Sequence, residues 1–593
     1  MTDIAAVNPQ EILRRTFGFS GFRGRQEAVI RRVLEGRHTL AVMPTGAGKS
    51  LCYQLPALAR PGTAIVISPL IALMHDQIRA ARAVGIKAAA MTSADSDNAA
   101  TAERLRAGDL DLLYVAPERA TGAGFQNLLS AVDIALFAID EAHCVSEWGH
   151  DFRPDYRLLR PLLDRFADAP RLALTATADK TTREDILRQL GIAANGLILA
   201  GFDRPNIHYA ATPRQNLGSQ ITAFLARNTG AGIVYAPSRK KTEKIAAHIA
   251  ATGRSVGVYH AGLAPEERAR TQADFVRSED MVMVATIAFG MGIDKPDVRF
   301  VVHAALPKSV EAYYQETGRA GRDGDPAEAQ MFWGADDFAR ARQRLGEVDE
   351  SRLASERARL NALAALVEAP GCRRMVLLRH FGEDPPGPCG YCDNCDNPPN
   401  VLDATEMARK LLSAVYRTGQ SFGIMHLEKV LTGREDDKVL ARGHDRLSVF
   451  GIVDAEEARL LRPVMWTLMA HEMLVTTDHG GLALGPAARP VLRGEQPVMI
   501  AEPPQKKRPA RGRSQTPNPV GDPLFDALRA KRKALADARN VPPYVVFHDS
   551  VLRAFAAERP ASPVEMAEIS GVGAKKLEAY GDAFLDVIRQ YSG

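Results

Sequence analysis

The chain of 593 residues is 46% hydrophobic and 25% charged, and its formal net charge is only +4. Such a length implies about three to five domains, and so small a net charge leaves any polyanionic partner to be argued from local motifs. No apolar run reaches the roughly 18–20 residues of a membrane span. MTDIAAVNPQ lacks the basic start and apolar core of a secretory signal, and six cysteines in this length do not make a disulfide scaffold.

In chain order, short β-branched runs alternate with longer helical patterns from about residue 39 to residue 333. TLAVMP, TAIVISP, DLLYVAP, IALFAID and RLALTAT predict buried parallel strands; AGIVYA, SVGVYH, MVMVAT, RFVVHA and AEAQMFW predict a second set. Ser238 is placed to cap a helix whose apolar face carries Ile245 and Ile249, with Gly253 just past its end. The expectation is an α/β protein of two parallel-sheet lobes, 1–202 and 203–340, joined near FDRPN. Beyond about residue 340 the strands should give way to a helical region carrying a cysteine cluster, 341–402. Helices and a short hairpin, LVTTDHGGLALG, then suggest a winged helix at 403–500. A Pro-rich basic linker, 501–523, leads to a small helical unit, 524–593.

TGAGKS (Thr45, Gly46, Ala47, Gly48, Lys49 and Ser50) follows the first strand and precedes an apolar segment, LCYQLPAL. Glycines let backbone N–H groups approach phosphate oxygens, Lys49 supplies a point charge and Ser50 a magnesium ligand. The strict pattern has glycine where this chain has Met43, so a plain glycine turn ahead of a helix is the alternative. DEAH, from Asp140 to His143, ends the strand IALFAI and argues against that alternative. A carboxylate at a strand's C-terminal edge suits Asp140 to magnesium, and Glu141 to polarising the attacking water, with His143 completing the motif. QETGRAGRDG adds Arg319 and Arg322 from the second lobe, so they complete an ATP site only when the lobes close.

Cys372, Cys389, Cys392 and Cys395 have the spacing C-x16-C-x2-C-x2-C. Two-residue spacers let several thiolates converge on one ion, and four thiolates favour tetrahedral zinc, with an iron–sulfur cluster as the rival. His380 lies on the intervening helical stretch as a packing or surface residue, and Cys52 and Cys144 are isolated thiols.

FGFSGFRGRQ, SPLIALMHDQ, DEAHCVSEWGHDFRPDY, LTATA, ATIAFGMGIDKP and YYQETGRAGRDG occur in that order. Together they resemble the RecQ family of superfamily-two DNA helicases, in its compact bacterial form, from about residue 16 to the C-terminus. The resemblance implies an ATP- and magnesium-dependent, zinc-containing helicase that moves 3′→5′ on single-stranded DNA. It would unwind duplex, forked or recombination-type DNA in repair, recombination, replication and the SOS response. Phe19 and Arg23 would sandwich adenine and Gln26 read its edge; the family often has tyrosine where this chain has Phe19. Thr175 and Thr177 would couple the lobes, and residues 290–294, with Gly292 and Asp294, would sense nucleotide. Trp148, Phe152 and Tyr156, interleaved with His150 and Arg153, would form an aromatic loop linking DNA to hydrolysis. Its alternative is a tryptophan-anchored buried turn.

The same resemblance makes 403–500 a winged helix holding duplex ahead of the fork, with too short a hairpin tip, 478–481, for a strand-splitting pin. The terminal unit resembles the HRDC module. The glycine turn of its ISGVGAKKLEAYG, followed by Lys575 and Lys576, would offer N–H groups to a phosphate or form a plain surface helix. Expected partners are single-stranded and duplex DNA, with single-strand-binding protein and repair factors beside them. No membrane is expected, and the expected location is the cytoplasm, at the bacterial nucleoid. An RNA-unwinding motor is one rival. Another is an ATP-gated clamp without turnover, which would need Lys49, Glu141 or Arg322 to be lost; all three are present.

Overall fold

A strand that is apolar on both faces must lie between helices, and parallel sheets provide that environment. The computed structural model describes residues 8–69, 71–92, 97–146, 153–287, 289, 295–346, 348, 350–477, 481–502, 522–539 and 541–591. Seven strands build the first lobe: β1 (Thr39–Val42), β2 (Thr63–Ile67), β3 (Ala88–Met91), β4 (Leu112–Val115), β5 (Ile134–Ile139), β6 (Arg171–Thr175) and β7 (Leu197–Leu199). They run parallel in the order β3-β4-β2-β5-β6-β1-β7. The second lobe holds β8 (Ile207–Pro213), β9 (Ala231–Tyr235), β10 (Val256–Tyr259), β11 (Val282–Ala285), β12 (Val298–His303) and β13 (Ala327–Trp333). These are parallel in the order β10-β11-β9-β12-β13-β8.

Each sheet contains its predicted strands, and β3, β7 and β8 are additions. Ser238 caps the helix Arg239–Ala250, where Ile245 and Ile249 are buried, and Gly253 follows at φ +83°. In the first sheet β5, β6 and β1 are neighbours, with Ile139 opposite Ala173 and Val42 opposite Thr175. That order brings the segments after three strands to one edge, where an open α/β sheet presents its binding crevice.

The zinc-region helices Glu350–Val367 and Arg373–His380 attach to the second lobe and to the joint between the lobes. Arg373 pairs with Asp393 at 2.6 Å and donates to the carbonyls of Leu366 and Ala211. Phe202, in the joint, stacks on Phe381 with ring centroids 4.5 Å apart and meets Tyr314 edge-on.

Strands do not vanish past residue 340. The expected hairpin forms from β15 (Leu474–Thr476) and β16 (Leu482–Leu484). A further antiparallel pair, β14 (Val401–Asp403) with β17 (Met499–Ala501), ties together the two ends of the winged unit. Three-residue strands carry too few side chains for a period-2 pattern to be visible in the sequence. The helices Thr405–Arg417, Ile424–Leu431 and Leu461–Ala470 enclose that unit's own core, and Trp466 meets Trp333 of the second lobe edge-on. The hairpin tip at 478–480 and the linker at 503–521 lie outside the described residues.

The terminal unit is helical, its longer helices being Pro523–Ala538, Asp549–Glu558 and Ala574–Gln590, around Phe547, Phe555 and Phe584. It touches both lobes. Glu279 of the second lobe accepts Arg529 and Arg532 at 2.7 Å each, and Arg553 pairs with Asp325. On the first lobe, Gly18 and Gly573 approach so closely that a Cβ at Gly18 would lie 2.9 Å from Gly573 Cα. No helix among the described residues is long and apolar enough to cross a membrane.

Candidate nucleotide cleft and metal centre

Phosphate loops need backbone freedom, and this one has it: Gly46 and Gly48 adopt φ +81° and +69°, a region that side chains with a Cβ rarely enter. The loop emerges from β1 and leads into the buried helix Leu51–Ala59. Lys49 Nζ reaches the Met43 and Pro44 carbonyls at 3.3 and 3.4 Å. Burial holds its ammonium below the ordinary range, opposed by the charges of Glu141 and Asp140.

Two strands away, Asp140 follows β5. Burial, and then the Glu141 carboxylate, push the Asp140 carboxyl up to about 7, against Lys49 and the Glu141 N–H that donates to it at 3.0 Å. Glu141 sits at φ +48°, and its Oε2 is buried without a hydrogen bond, 3.4 Å from His143 Nδ1. Two half-buried carboxyls beside Ser50 form an oxygen donor set that a magnesium ion fits, since the cation would offset the cost of leaving Asp140 charged. Burial, then Lys49 and Arg153, push His143 down to about 3, so it is a neutral imidazole with Nδ1 3.0 Å from Thr175 Oγ1. Thr175 Oγ1 also donates to Thr177 O at 3.1 Å, so both threonines stand behind the DEAH segment.

The second lobe closes over this edge. Phe19, Thr45, Gly48, Lys49, Ser50, Tyr53, Asp140, Glu141, Gln315, Arg319 and Arg322 all face one cavity of about 350 Å³. Gly46 also lines it, with Arg322 laid against it so that a Cβ there would sit 3.3 Å from Arg322 Cγ. Thr45 Oγ1 donates to Gly318 O at 2.9 Å. Ala47 is not in the lining; its carbonyl accepts Gln26 Nε2 at 2.9 Å, while Gln26 Oε1 accepts the Arg23 N–H at 2.8 Å. Gln26 thus braces the phosphate loop, and the Arg23 side chain is exposed.

Besides Gln26, further placements differ from what the sequence predicts. Tyr156 is fully buried and donates to Asp140 O at 3.0 Å, so it is a strut behind the catalytic strand and offers no stacking face. Lys575 is directed at the first lobe, with Nζ 3.2 Å from where a Cβ on Gly85 would lie. Lys576 lies 5.8 Å over the Phe547 ring, and burial pushes its ammonium down to about 8. Arg153 donates to Pro69 O at 3.1 Å. Trp148, His150, Phe152, Gly292 and Asp294 lie outside the described residues.

Tyr53, Gln77 and His548 also line the cavity, with no role there expected from the sequence. Tyr53 lies on the helix after the phosphate loop, Gln77 ends the segment SPLIALMHDQ, and His548 comes from the terminal unit.

At the metal centre the Sγ atoms of Cys372, Cys389, Cys392 and Cys395 all lie within 4.8 Å of one another. A tetrahedron of ~2.3 Å zinc–sulfur bonds has sulfur–sulfur edges of about 3.8 Å, and Cys389 and Cys395 are 3.9 Å apart. Sulfurs this close enclose a single ion and leave no room for a cluster of several irons. Cys372 and Cys392 cap short helices, and the Cys389 N–H donates to Cys372 Sγ at 3.3 Å. His380 pairs with Glu311 at 2.5 Å, outside the ligand set.

Two parallel α/β lobes, with a phosphate loop and DEAH on one and paired arginines on the other, define a two-lobe P-loop protein of the helicase class. Family descriptions match piece by piece. "DEAD/DEAH box helicase" covers residues 23–186, "Helicase conserved C-terminal domain" 216–324, "RecQ zinc-binding" 335–396, "RQC domain" 398–509 and "HRDC domain" 522–588. The chain is 42% identical to the ATP-dependent DNA helicase RecQ of Haemophilus influenzae, over 98% of this chain and 95% of that one. It is 38% identical to the Bacillus subtilis protein of the same name, over 98% of each. It is 33% identical to the ATP-dependent DNA helicase Q-like 2 of Arabidopsis thaliana, over 97% of this chain and 82% of that one. The chain belongs to the RecQ family.

Proposed function

We propose that the chain is an ATP-dependent DNA helicase that moves 3′→5′ on single-stranded DNA and unwinds duplex and forked DNA in repair, recombination and replication. One observation carries the reading: Arg319 and Arg322 of the second lobe face the same cavity as Lys49, Ser50, Asp140 and Glu141 of the first. Ser50 and Asp140 hold magnesium, which draws charge from the phosphates when bound. Lys49 neutralises phosphate oxygens, Glu141 orients water, and the two arginines meet the charge that develops on the transferred group. Phe19, with Arg23, faces the adenine. Because the arginines arrive from the other lobe, hydrolysis requires closure and product release permits opening, and that cycle drives movement.

The four cysteines hold a structural zinc. The domain division at 202, 340, 402 and 500 separates first lobe, second lobe, zinc region and winged helix, followed by linker and terminal unit. DNA contacts fall on the loop with Trp148 and Phe152 and on the winged helix. Single-strand-binding protein is the expected protein partner, and the nucleoid the expected location. ATP turnover and strand separation measured on 3′-tailed, 5′-tailed and blunt duplexes of DNA and RNA test the reading. Unwinding of 3′-tailed DNA is expected; a need for a 5′ tail, or a preference for RNA, would overturn it.

A further inference from the structure

The joint between the lobes, FDRPN, reads in the sequence as a connection and nothing more. In the structure Arg204 of that joint is 8% exposed and spends its guanidinium on four backbone carbonyls. Nη1 donates to Thr45 O and to Gly318 O, both at 3.0 Å; Nη2 donates to Ala320 O at 2.8 Å and Gly321 O at 3.0 Å. Thr45 belongs to the phosphate loop. The other three carbonyls flank Arg319 and lead directly to Arg322. Gly318 O also accepts Thr45 Oγ1, and a Cβ at Gly318 would overlap that hydroxyl, so glycine is required for the approach.

The neighbouring joint residues hold the same segment. Asn206 Nδ2 donates to Gly321 O and Asp325 O at 2.8 Å each, and Phe202 O accepts Tyr314 OH at 2.8 Å. Three of Arg204's four bonds therefore go to the second lobe and one to the first. Arg204 is thus tied mainly to the arginine-bearing segment, and Thr45 O is the single first-lobe acceptor among its four. A guanidinium suits this task because its donors are splayed in a rigid plane; a lysine ammonium is a single point on a flexible stem.

We propose that Arg204 is a positioning residue for hydrolysis: it sets segment 318–322 against the phosphate loop so that closure delivers Arg319 and Arg322 in register. The inference rests on the cleft being the ATP site. It explains why the joint carries a buried cation, and it makes the joint part of the coupling between lobe motion and chemistry.

The test uses the full chain with R204K and N206A. For R204K, DNA-stimulated kcat should fall at least about tenfold while KM for ATP and affinity for ADP stay within about threefold. Affinity for ADP–aluminium fluoride, which mimics the transferring phosphate, should fall with kcat, and R204K/R322A should be no slower than R322A by more than about twofold. N206A, which loosens the same segment from the other side, should show the same pattern at about threefold. Unchanged kcat in either folded variant overturns the proposal. So does a loss of ADP affinity and melting temperature in parallel with kcat, or losses that multiply with R322A; these mark a merely structural role. A wild-type chain without ATPase activity would overturn the proposed function and this inference together, whereas a wild-type-like R204K in an active chain overturns the inference alone.

Discussion

The metal centre and the nucleotide cleft are built in opposite ways. All four sulfurs come from the stretch between Cys372 and Cys395, while the cleft gathers residues from Phe19 to His548 across three structural units. A local site stands or falls with the loops that carry it, because binding an ion and folding those loops are one event. A distributed site depends on bodies that move relative to one another, so its chemistry can be lost while every part stays folded. The two should therefore fail differently.

The largest expected effect tests that contrast on the cleft side. Lys49→Ala should lower ATP turnover by about three orders of magnitude or more, since a preorganised charge at the phosphates is withdrawn. Melting temperature and DNA binding should stay near wild type. Steady-state ATPase assays and DNA titration read this, and near-normal turnover would refute the assignment of the cleft.

Cys392→Ala should do the reverse. Loss of buried Cys392 from the tetrahedral set should destabilise the chain by on the order of several kcal/mol and reduce metal content well below one zinc per chain. Turnover per folded molecule should change little. Metal analysis beside thermal unfolding measures both, and stoichiometric iron in the wild-type protein would break the assignment.

Tryptophan and tyrosine of the segment after DEAH should separate as well. Trp148→Ala should reduce DNA stimulation of ATPase, with a loss of about 1–3 kcal/mol in stacking if bases rest on it, while basal turnover persists. Tyr156→Phe, which removes only the bond to Asp140 O, should cost about 0.5–1.5 kcal/mol and lower basal and stimulated rates alike. Equal behaviour of the two variants would show that the segment acts as a single structural turn.

The smallest effect concerns the terminal unit. Glu279→Ala removes the acceptor shared by part-exposed Arg529 and buried Arg532; the exposed pair is worth about 1 kcal/mol or less, and Arg532 keeps Asp549 at 2.6 Å and the Phe547 carbonyl as partners. Turnover without DNA should change by less than about threefold, and hydrogen exchange should rise along the helix Pro523–Ala538 without rising in the lobes.

Much of this was legible beforehand, for identifiable reasons. Buried parallel strands are β-branched and announce themselves; β3 did not, because AAAM has neither branching nor alternation. Cysteine spacing describes a local site almost completely, since short spacers leave the thiolates few other places to be. Motif residues such as Lys49, Asp140 and Arg322 are readable because their chemistry requires those residue types. Tyr156 misled because an aromatic beside charged residues looks the same in sequence whether it stacks on a base or fills a core. Arg204 gave no signal at all, because its partners are backbone carbonyls, which every residue has.

The amino-acid sequence by itself determined the two lobes, the phosphate loop, the acidic motif and the four zinc ligands, each a property of residue type and short-range spacing. Only the tertiary structure decided that β5, β6 and β1 lie side by side, that Arg322 rests on Gly46, and that the terminal unit bridges both lobes with His548 at the cleft. Those are facts of long-range packing. They depend on which surfaces bury one another, and no local pattern of side chains encodes that choice.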